Sequence, residues 1–91
     1  MNKSIAITIT GVVQGVFFRK SMQQQANALN ISGFVRNIPD GTVYAEATGA
    51  PAALEALVEW CHRGPRGARV SSVNTQIIDT RSDAGFTIDR G

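Results

Sequence analysis

Residues 11–19 combine glycines, small apolar residues and an arginine in an order that suits phosphate binding. A strand that ends in a glycine-containing loop and opens a helix aims several backbone N–H groups at one point, and the helix N-terminus adds partial positive charge. Gly15 allows a backbone conformation that a side chain would resist. Arg19 can turn its bidentate guanidinium into the same place. The segment predicts either a phosphate-binding loop or a plain joint between a strand and a helix.

The order of residues in this segment differs from that of the Walker A nucleotide-binding motif. That motif requires a Gly directly before its Lys and Ser or Thr, whereas Arg19 precedes Lys20-Ser21 here. The partial positive charge at the N-terminus of a helix also disfavours an arginine in the first turn. This mismatch favours a functional reason for Arg19.

A second polar residue, Asn37, stands where a predicted strand meets a turn. Residues 37–41 contain Pro39 and an Asp-Gly pair, which are typical of a hairpin turn. Taken alone, Asn37 is therefore explained as a turn residue. Placed opposite the predicted phosphate loop, its neutral amide could both donate to and accept from a water molecule without deprotonating it.

Hydrophobic periodicity predicts the elements that must position these two segments. Alternating Ile residues predict a first strand over 5–10, and further strands are predicted over 31–36, 42–48, 70–80 and around 86–88. Two apolar stripes with helical spacing separate them. The first stripe comprises Phe18, Met22, Ala26 and Leu29, and the second comprises Leu54, Leu57, Val58 and Cys61.

This order of elements predicts an α+β fold of the ferredoxin-like type, a split βαββαβ arrangement with a short extra C-terminal strand. We expect an antiparallel sheet in the order 4-1-3-2, with both helices on one face. The first two strands then finish at the same end of the sheet, about 9–10 Å apart. The second helix finishes there too, which places Arg63, Arg66 and Arg69 near that end, either solvated or steering anions. Lys20 and Arg36 could steer anions in the same way.

Composition limits the partners of the chain. The 91 residues predict a single domain, and the net charge of +2 suits a small anionic ligand but is too weak to indicate nucleic acid. The lone Cys61 cannot form an intramolecular disulfide, which fits a reducing, cytoplasmic location. No stretch approaches the ~18–20 apolar residues of a membrane span. Nothing in the sequence demands more than a monomer.

The remaining candidates for chemistry are weaker. His62 is the only histidine and has no partners for a metal site, and Cys61 lies on an apolar stripe, where burial is expected. Asp40 and Glu46 do not form a carboxylate pair suited to acid–base catalysis. We therefore expect no metal and no cofactor.

Taken together, the two polar segments resemble the two signatures of the acylphosphatase family, at the expected spacing. The first signature corresponds to Gly11-x-Val13-Gln14-Gly15-Val16-x-Phe18-Arg19. The second corresponds to Gly33-Phe34-Val35-Arg36-Asn37-x-x-x-Gly41-x-Val43-x-x-x-x-x-Gly49. The resemblance covers essentially the whole chain and implies one acylphosphatase-like domain over residues 1–91 with the ferredoxin-like fold.

The resemblance also implies roles for individual residues. Arg19 would bind the phosphate, and Asn37 would orient the attacking water. The phosphate-binding residues would be Gln14, Gly15, Val16, Phe17, Phe18 and Arg19. The implied activity is metal-independent hydrolysis of a small-molecule acyl phosphate to a carboxylate and inorganic phosphate.

Two alternatives use the same fold without catalysis. One is a regulatory anion- or ligand-binding module, in which the motifs serve only as a binding site; the absence of a Cys-x-x-Cys pattern disfavours metal carriage. An RNA-binding module of the RRM type has the same order of elements, but it needs aromatic stacking residues on its central strands. The first predicted strand has none, and the third has only Tyr44.

Overall fold

The computed structural model describes residues 1–81 and 83–90. The elements are β1 (Lys3–Val12), α1 (Phe18–Ala28), β2 (Ser32–Asn37), β3 (Val43–Gly49), α2 (Pro51–Arg63), β4 (Arg69–Ile78) and β5 (Phe86–Ile88). The predicted order of elements is confirmed, and the predicted strands differ from the observed ones by a few residues at their ends. Pro51 begins α2, because proline fits the first turn of a helix, where its missing N–H is not needed.

The five strands form one sheet in the order β4-β1-β3-β2-β5, which confirms the predicted order 4-1-3-2. β1 pairs antiparallel with β3 and β4, and β2 pairs antiparallel with β3. β5 pairs parallel with β2, so the sheet is mixed rather than wholly antiparallel as predicted. The reason is that β4 finishes at the end of the sheet where β2 begins, so the chain enters β5 in the direction of β2. We call the opposite end, where β1, β2 and β5 finish, the upper end.

Both helices cover one face of the sheet, and alternation along the strands separates the core from the other, open face. Ile7 and Ile9 of β1 are fully buried towards the helices. The predicted helical stripes are confirmed: the buried helical residues are Phe18, Met22, Ala26, Leu54, Leu57 and Cys61. Leu29 and Val58 are half-buried at the margin of the same core.

The connection between β4 and β5 is fixed to the open face by Arg81. Its backbone N–H donates to Ser4 Oγ at 3.0 Å. Its guanidinium donates to Glu46 at 2.7 Å and to Asp83 at 3.0 Å, and it lies 5.1 Å from the centre of the Phe34 ring. These contacts hold the chain on its way to β5 and so support the parallel position of that strand.

Within the described residues, neither helix is long and apolar enough to cross a membrane.

Candidate active site

The loop between β1 and α1 (residues 13–17, the β1–α1 loop) is fixed at both ends by buried side chains. Val13 is buried at its start, and Phe18 is buried immediately after it. The Phe18 ring packs at a tilt against Trp60 of α2, with ring centres 5.2 Å apart. A Cβ added at Gly64, just after α2, would lie 2.8 Å from the Phe18 ring. The packing on Phe18 therefore sets where the loop leaves the core.

Two left-handed residues shape this loop. Gly15 has a φ of 77°, and Phe17 has a φ of 61° and a ψ of 27°. Left-handed backbone is uncommon for a residue other than glycine, and strain of this kind concentrates at functional sites. Phe17 is followed directly by helical Phe18, and two consecutive residues of opposite handedness form a concave nest of N–H groups.

The backbone N–H groups around this nest are available to a ligand. Among the hydrogen bonds of residues 1–81 and 83–90, none has its donor at a backbone N–H of residues 14–20. The first N–H groups of a helix have no intrahelical partner, so α1 adds its own free donors to those of the loop. We call these N–H groups, together with the Arg19 side chain, the cradle.

The side chain of Gln14 joins the β1–α1 loop to the turn after β2. Its amide nitrogen donates to the carbonyl oxygens of Ile38 at 2.8 Å and Thr42 at 2.9 Å. Gln14 is among the phosphate-binding residues that the sequence predicts. Since its side-chain amide is occupied by these carbonyls, only its backbone N–H is left for an anion.

The turn whose carbonyls accept the Gln14 hydrogen bonds is itself held by further hydrogen bonds. Ile38 N–H donates to the Thr42 carbonyl at 2.9 Å, and Gly41 N–H donates back to Ile38 at 3.0 Å. Asp40 accepts from both the N–H and the hydroxyl of Thr42, and these bonds hold the pKa of the Asp40 carboxyl below its ordinary value. Asp40 is therefore a turn-forming carboxylate, and it does not line the site.

Asn37 is the last residue of β2 and pairs with Val43 of β3. Its side-chain oxygen is buried and has no hydrogen-bond partner among the described residues. Leaving such an acceptor unsatisfied costs about 1–3 kcal/mol, and a water molecule or ligand atom that reached this oxygen would offset that cost.

A cavity of about 680 Å³ at the upper end of the sheet brings the two segments together. Gly15, Phe17, Phe18 and Arg19 line it from the cradle side, and Asn37 lines it from β2. Of the predicted phosphate-binding residues, Gln14 and Val16 do not line it, and Val16 instead packs against the core. Phe17 is 81% exposed at its mouth.

Sequence reasoning missed Ile88 and Arg90 and named Lys20 only as a steering charge, yet all three line the cavity. The alternation of Phe86, Ile88 and Arg90 in the sequence indicates that these side chains share one face of a strand. The segment is too short to indicate in which direction that strand runs.

The cavity is electropositive. Its charged lining residues are Arg19, Lys20 and Arg90, and none of the described lining residues is acidic. The ion pairs of the described residues engage Arg36 and Arg81, and none of them engages a lining cation. Such a cavity attracts and retains a small polyanion.

The other sequence candidates lie away from the cavity. Cys61 is fully buried, and burial raises the pKa of its thiol to about 12, which disfavours the nucleophilic thiolate. His62 is exposed in the last turn of α2. Within residues 1–81 and 83–90, His, Cys, Asp and Glu form no group of three that could hold a metal ion. Arg63, Arg66 and Arg69 do not line the cavity.

Aromatic rings do occur on the open face, but arginines of the same chain cover them. Phe34 and Tyr44 lie 6.2 Å apart, and the Arg36 guanidinium lies 5.6 and 5.7 Å from their ring centres. Arg36 also pairs with Asp89 at 3.5 Å. The Tyr44 hydroxyl donates to Glu46, and this bond raises the pKa of Tyr44. This arrangement differs from the free stacking platform that an RRM presents.

Comparison with known proteins agrees with this geometry. The acylphosphatase family model matches residues 5–88. An acylphosphatase from Anaeromyxobacter dehalogenans is 48% identical over 79 residues, which cover 87% of this chain and 85% of that protein. One from an Acidovorax species is 52% identical over 80 residues, covering 88% and 82% respectively.

A solved structure described as an acylphosphatase from Coxiella burnetii superposes with a TM-score of 0.94 at 36% identity. The superposition covers 97% of this chain and 93% of that one. The two signature segments, including Arg19 and Asn37 on the two sides of the cavity, lie within the residues that the family model matches. This chain therefore belongs to the acylphosphatase family.

Proposed function

We propose that this chain hydrolyses the carboxyl–phosphate bond of small-molecule acyl phosphates by direct attack of a water molecule that Asn37 holds. The observation that carries the proposal is the pairing of two unsatisfied groups across one cavity. On one side are the free N–H groups and the guanidinium of the cradle, and on the other is Asn37, which lines the cavity and whose amide oxygen has no hydrogen-bond partner among the described residues. The first suits a phosphoryl group and the second suits a water molecule.

The cradle suits a phosphoryl group in both its positive charge and the arrangement of its N–H donors. A phosphate monoester carries about −1.5 to −2 charges near neutral pH. The Arg19 guanidinium offers two parallel N–H donors to phosphate oxygens, and the helix N-terminus adds preorganised N–H groups. The strained loop holds these donors in place before the substrate arrives, so little reorganisation is needed on binding.

The attacking water is positioned rather than deprotonated beforehand. Asn37 is neutral, accepts one water hydrogen through its carbonyl oxygen and can donate to the water oxygen through its nitrogen. No histidine and no carboxylate is among the described residues that line the cavity. A strong base is unnecessary, because the leaving group is a carboxylate, a weak base that departs readily.

In the chemical step, the water oxygen bonds to phosphorus as the bond between phosphorus and the acyl oxygen breaks. The electron pair of that bond leaves with the carboxylate, and the water proton passes to phosphate oxygen or to solvent. Such transition states are loose, with charge spread over the equatorial phosphate oxygens, and catalysis comes mainly from positioning and charge stabilisation.

We propose a monomeric cytoplasmic enzyme that releases a carboxylate and inorganic phosphate without metal, cofactor or nucleic acid. The mild net charge of +2 and the arginine-covered rings of the open face support a small anionic substrate over RNA.

Hydrolysis of benzoyl phosphate in excess EDTA tests the function, and Arg19→Ala tests the cradle. Wild-type protein is expected to turn over rapidly. Arg19→Ala should lower kcat/KM by about 10²–10³ and weaken inhibition by inorganic phosphate. The reason is that the guanidinium charge stabilises the phosphoryl group in both the ground state and the transition state. Arg66→Ala removes the same charge outside the cavity and serves as the matched control. Failure of folded wild-type protein to hydrolyse the substrate would refute the proposal.

Asn37→Ala separates the water-holding role from phosphate binding. We expect kcat to fall by about 10²–10³ with little change in the inhibition constant of phosphate, since the lost contact is to water. The exposed amide variant Asn74→Ala should leave both constants unchanged. Loss of phosphate binding with turnover preserved would show that the roles are wrongly assigned.

Gln14→Met keeps side-chain volume but removes both hydrogen bonds to the turn after β2. Because misplacement of Asn37 relative to the cradle spoils the in-line geometry, kcat should fall by about 10- to 100-fold. Phosphate inhibition should change much less, since the cradle N–H groups remain. Gln24→Met, on the exposed side of α1, is the matched control. Unchanged kcat in Gln14→Met would show that the bridge does not set the geometry.

A further inference from the structure

Strand β5 brings a second arginine to the water side of the cavity. In the parallel register of β2 and β5, Gly33 is opposite Phe86 and Val35 is opposite Ile88. The Asp89 N–H donates to the Val35 carbonyl at 2.9 Å, so the pairing continues beyond Ile88. Extending the register by two residues places Arg90 opposite Asn37.

The Arg90 side chain lies on the same face of the sheet as Asn37. Phe86 and Ile88 pack in the core beneath the helices, and side chains alternate along a strand, so Arg90 belongs to that face. The same alternation from buried Val35 puts Asn37 there. Neighbouring strands lie about 4.8 Å apart, so the two side chains start about that far from each other.

The intervening residues confirm the register on the opposite face. Arg36 and Asp89 are the next pair after Val35 and Ile88, and their side chains meet in an ion pair at 3.5 Å. That pair lies on the open face beside the rings of Phe34 and Tyr44. Since Asp89 is turned to the open face, Arg90 is turned to the cavity, which it lines.

The expected ligand carries enough charge to engage cations from more than one side of the cavity. The phosphoryl group carries close to two negative charges, and both Arg19 and Lys20 approach it from α1, whereas neither lies on the side of Asn37. Arg90 enters from the side of Asn37 and forms no ion pair with the described residues. A guanidinium there could contact equatorial phosphate oxygens through its fork of donors.

We propose that Arg90 is a second phosphate-binding residue, which holds the phosphoryl group from the Asn37 side while Arg19 holds it from the cradle. This inference rests on the proposed function for its substrate. Two guanidiniums on opposite sides of the phosphoryl group would restrict its rotation and keep phosphorus facing the water on Asn37. They would also stabilise the charge that spreads over the equatorial oxygens as the acyl oxygen departs.

The test compares Arg90→Gln, Arg90→Lys and Arg66→Gln with wild-type protein. The dissociation constant of inorganic phosphate is measured by calorimetry, and KM and kcat are measured with benzoyl phosphate. Arg90→Gln should weaken phosphate binding and raise KM by about 10- to 100-fold, the range expected for loss of a charge-assisted hydrogen bond. Arg90→Lys should recover part of the affinity. Arg66→Gln, which loses the same charge outside the cavity, should bind phosphate as wild type does.

Two results would overturn the assignment. One is a phosphate dissociation constant for Arg90→Gln within twofold of wild type. The other is a fall in kcat and thermal midpoint without a change in phosphate affinity, which would indicate only a structural role at the end of β5. If wild-type protein bound phosphate in an Arg90-dependent way but did not hydrolyse benzoyl phosphate, the proposed function would fail while the role of Arg90 in anion binding would stand.

Discussion

The geometry of the site depends on two hydrogen bonds from one side chain, the carboxamide of Gln14. The β1–α1 loop and the turn after β2 follow strands that are separated by β3, and no backbone pairing joins them. Gln14 spans this gap by donating to Ile38 and Thr42. Because the Thr42 and Ile38 carbonyls belong to the turn that directly follows Asn37, the bond pair fixes the distance between cradle and water site. The rigid core contact of Phe18 with Trp60 holds the other side of the cradle in place.

The connection between β4 and β5 likewise helps to place the residues that line the other side of the cavity. Arg81 holds that connection on the open face through Ser4 and Glu46. Because β4 finishes at the lower end, the chain enters β5 in the direction of β2, and β5 finishes at the upper end beside Asn37. The parallel pairing of β5 with β2 thus explains why Ile88 and Arg90 are among the side chains that border the cavity.

Much of the architecture was predictable because it depends on local patterns. The alternation of Ile5, Ile7 and Ile9 indicated β1, and the stripe around Phe18 and Met22 indicated α1. Topology alone brought Arg19 and Asn37 to one end of the sheet, and the structure places both on the same cavity. The catalytic roles of these two residues stay predictions that the variants above test.

The features that sequence reasoning missed depend on long-range geometry. The left-handed conformation of Phe17 could not be read from its residue type, which favours the opposite handedness. No sequence pattern around Gln14 indicates that its side chain donates to carbonyl oxygens of residues 24 and 28 positions further along the chain. The position of β5 depends on its pairing with β2, a strand more than 45 residues earlier in the chain, so the position of Arg90 could not be inferred from its own segment.

The most direct measurement of the central claim follows the oxygen atom of the attacking water. Benzoyl phosphate is hydrolysed by the wild-type protein in water enriched in oxygen-18, in excess EDTA, and both products are analysed by mass spectrometry after one turnover. Attack on phosphorus by water held at Asn37 predicts that the label appears in inorganic phosphate and that the benzoate remains unlabelled. Label in the benzoate would show attack at the carbonyl carbon and would contradict a site built around the phosphoryl group.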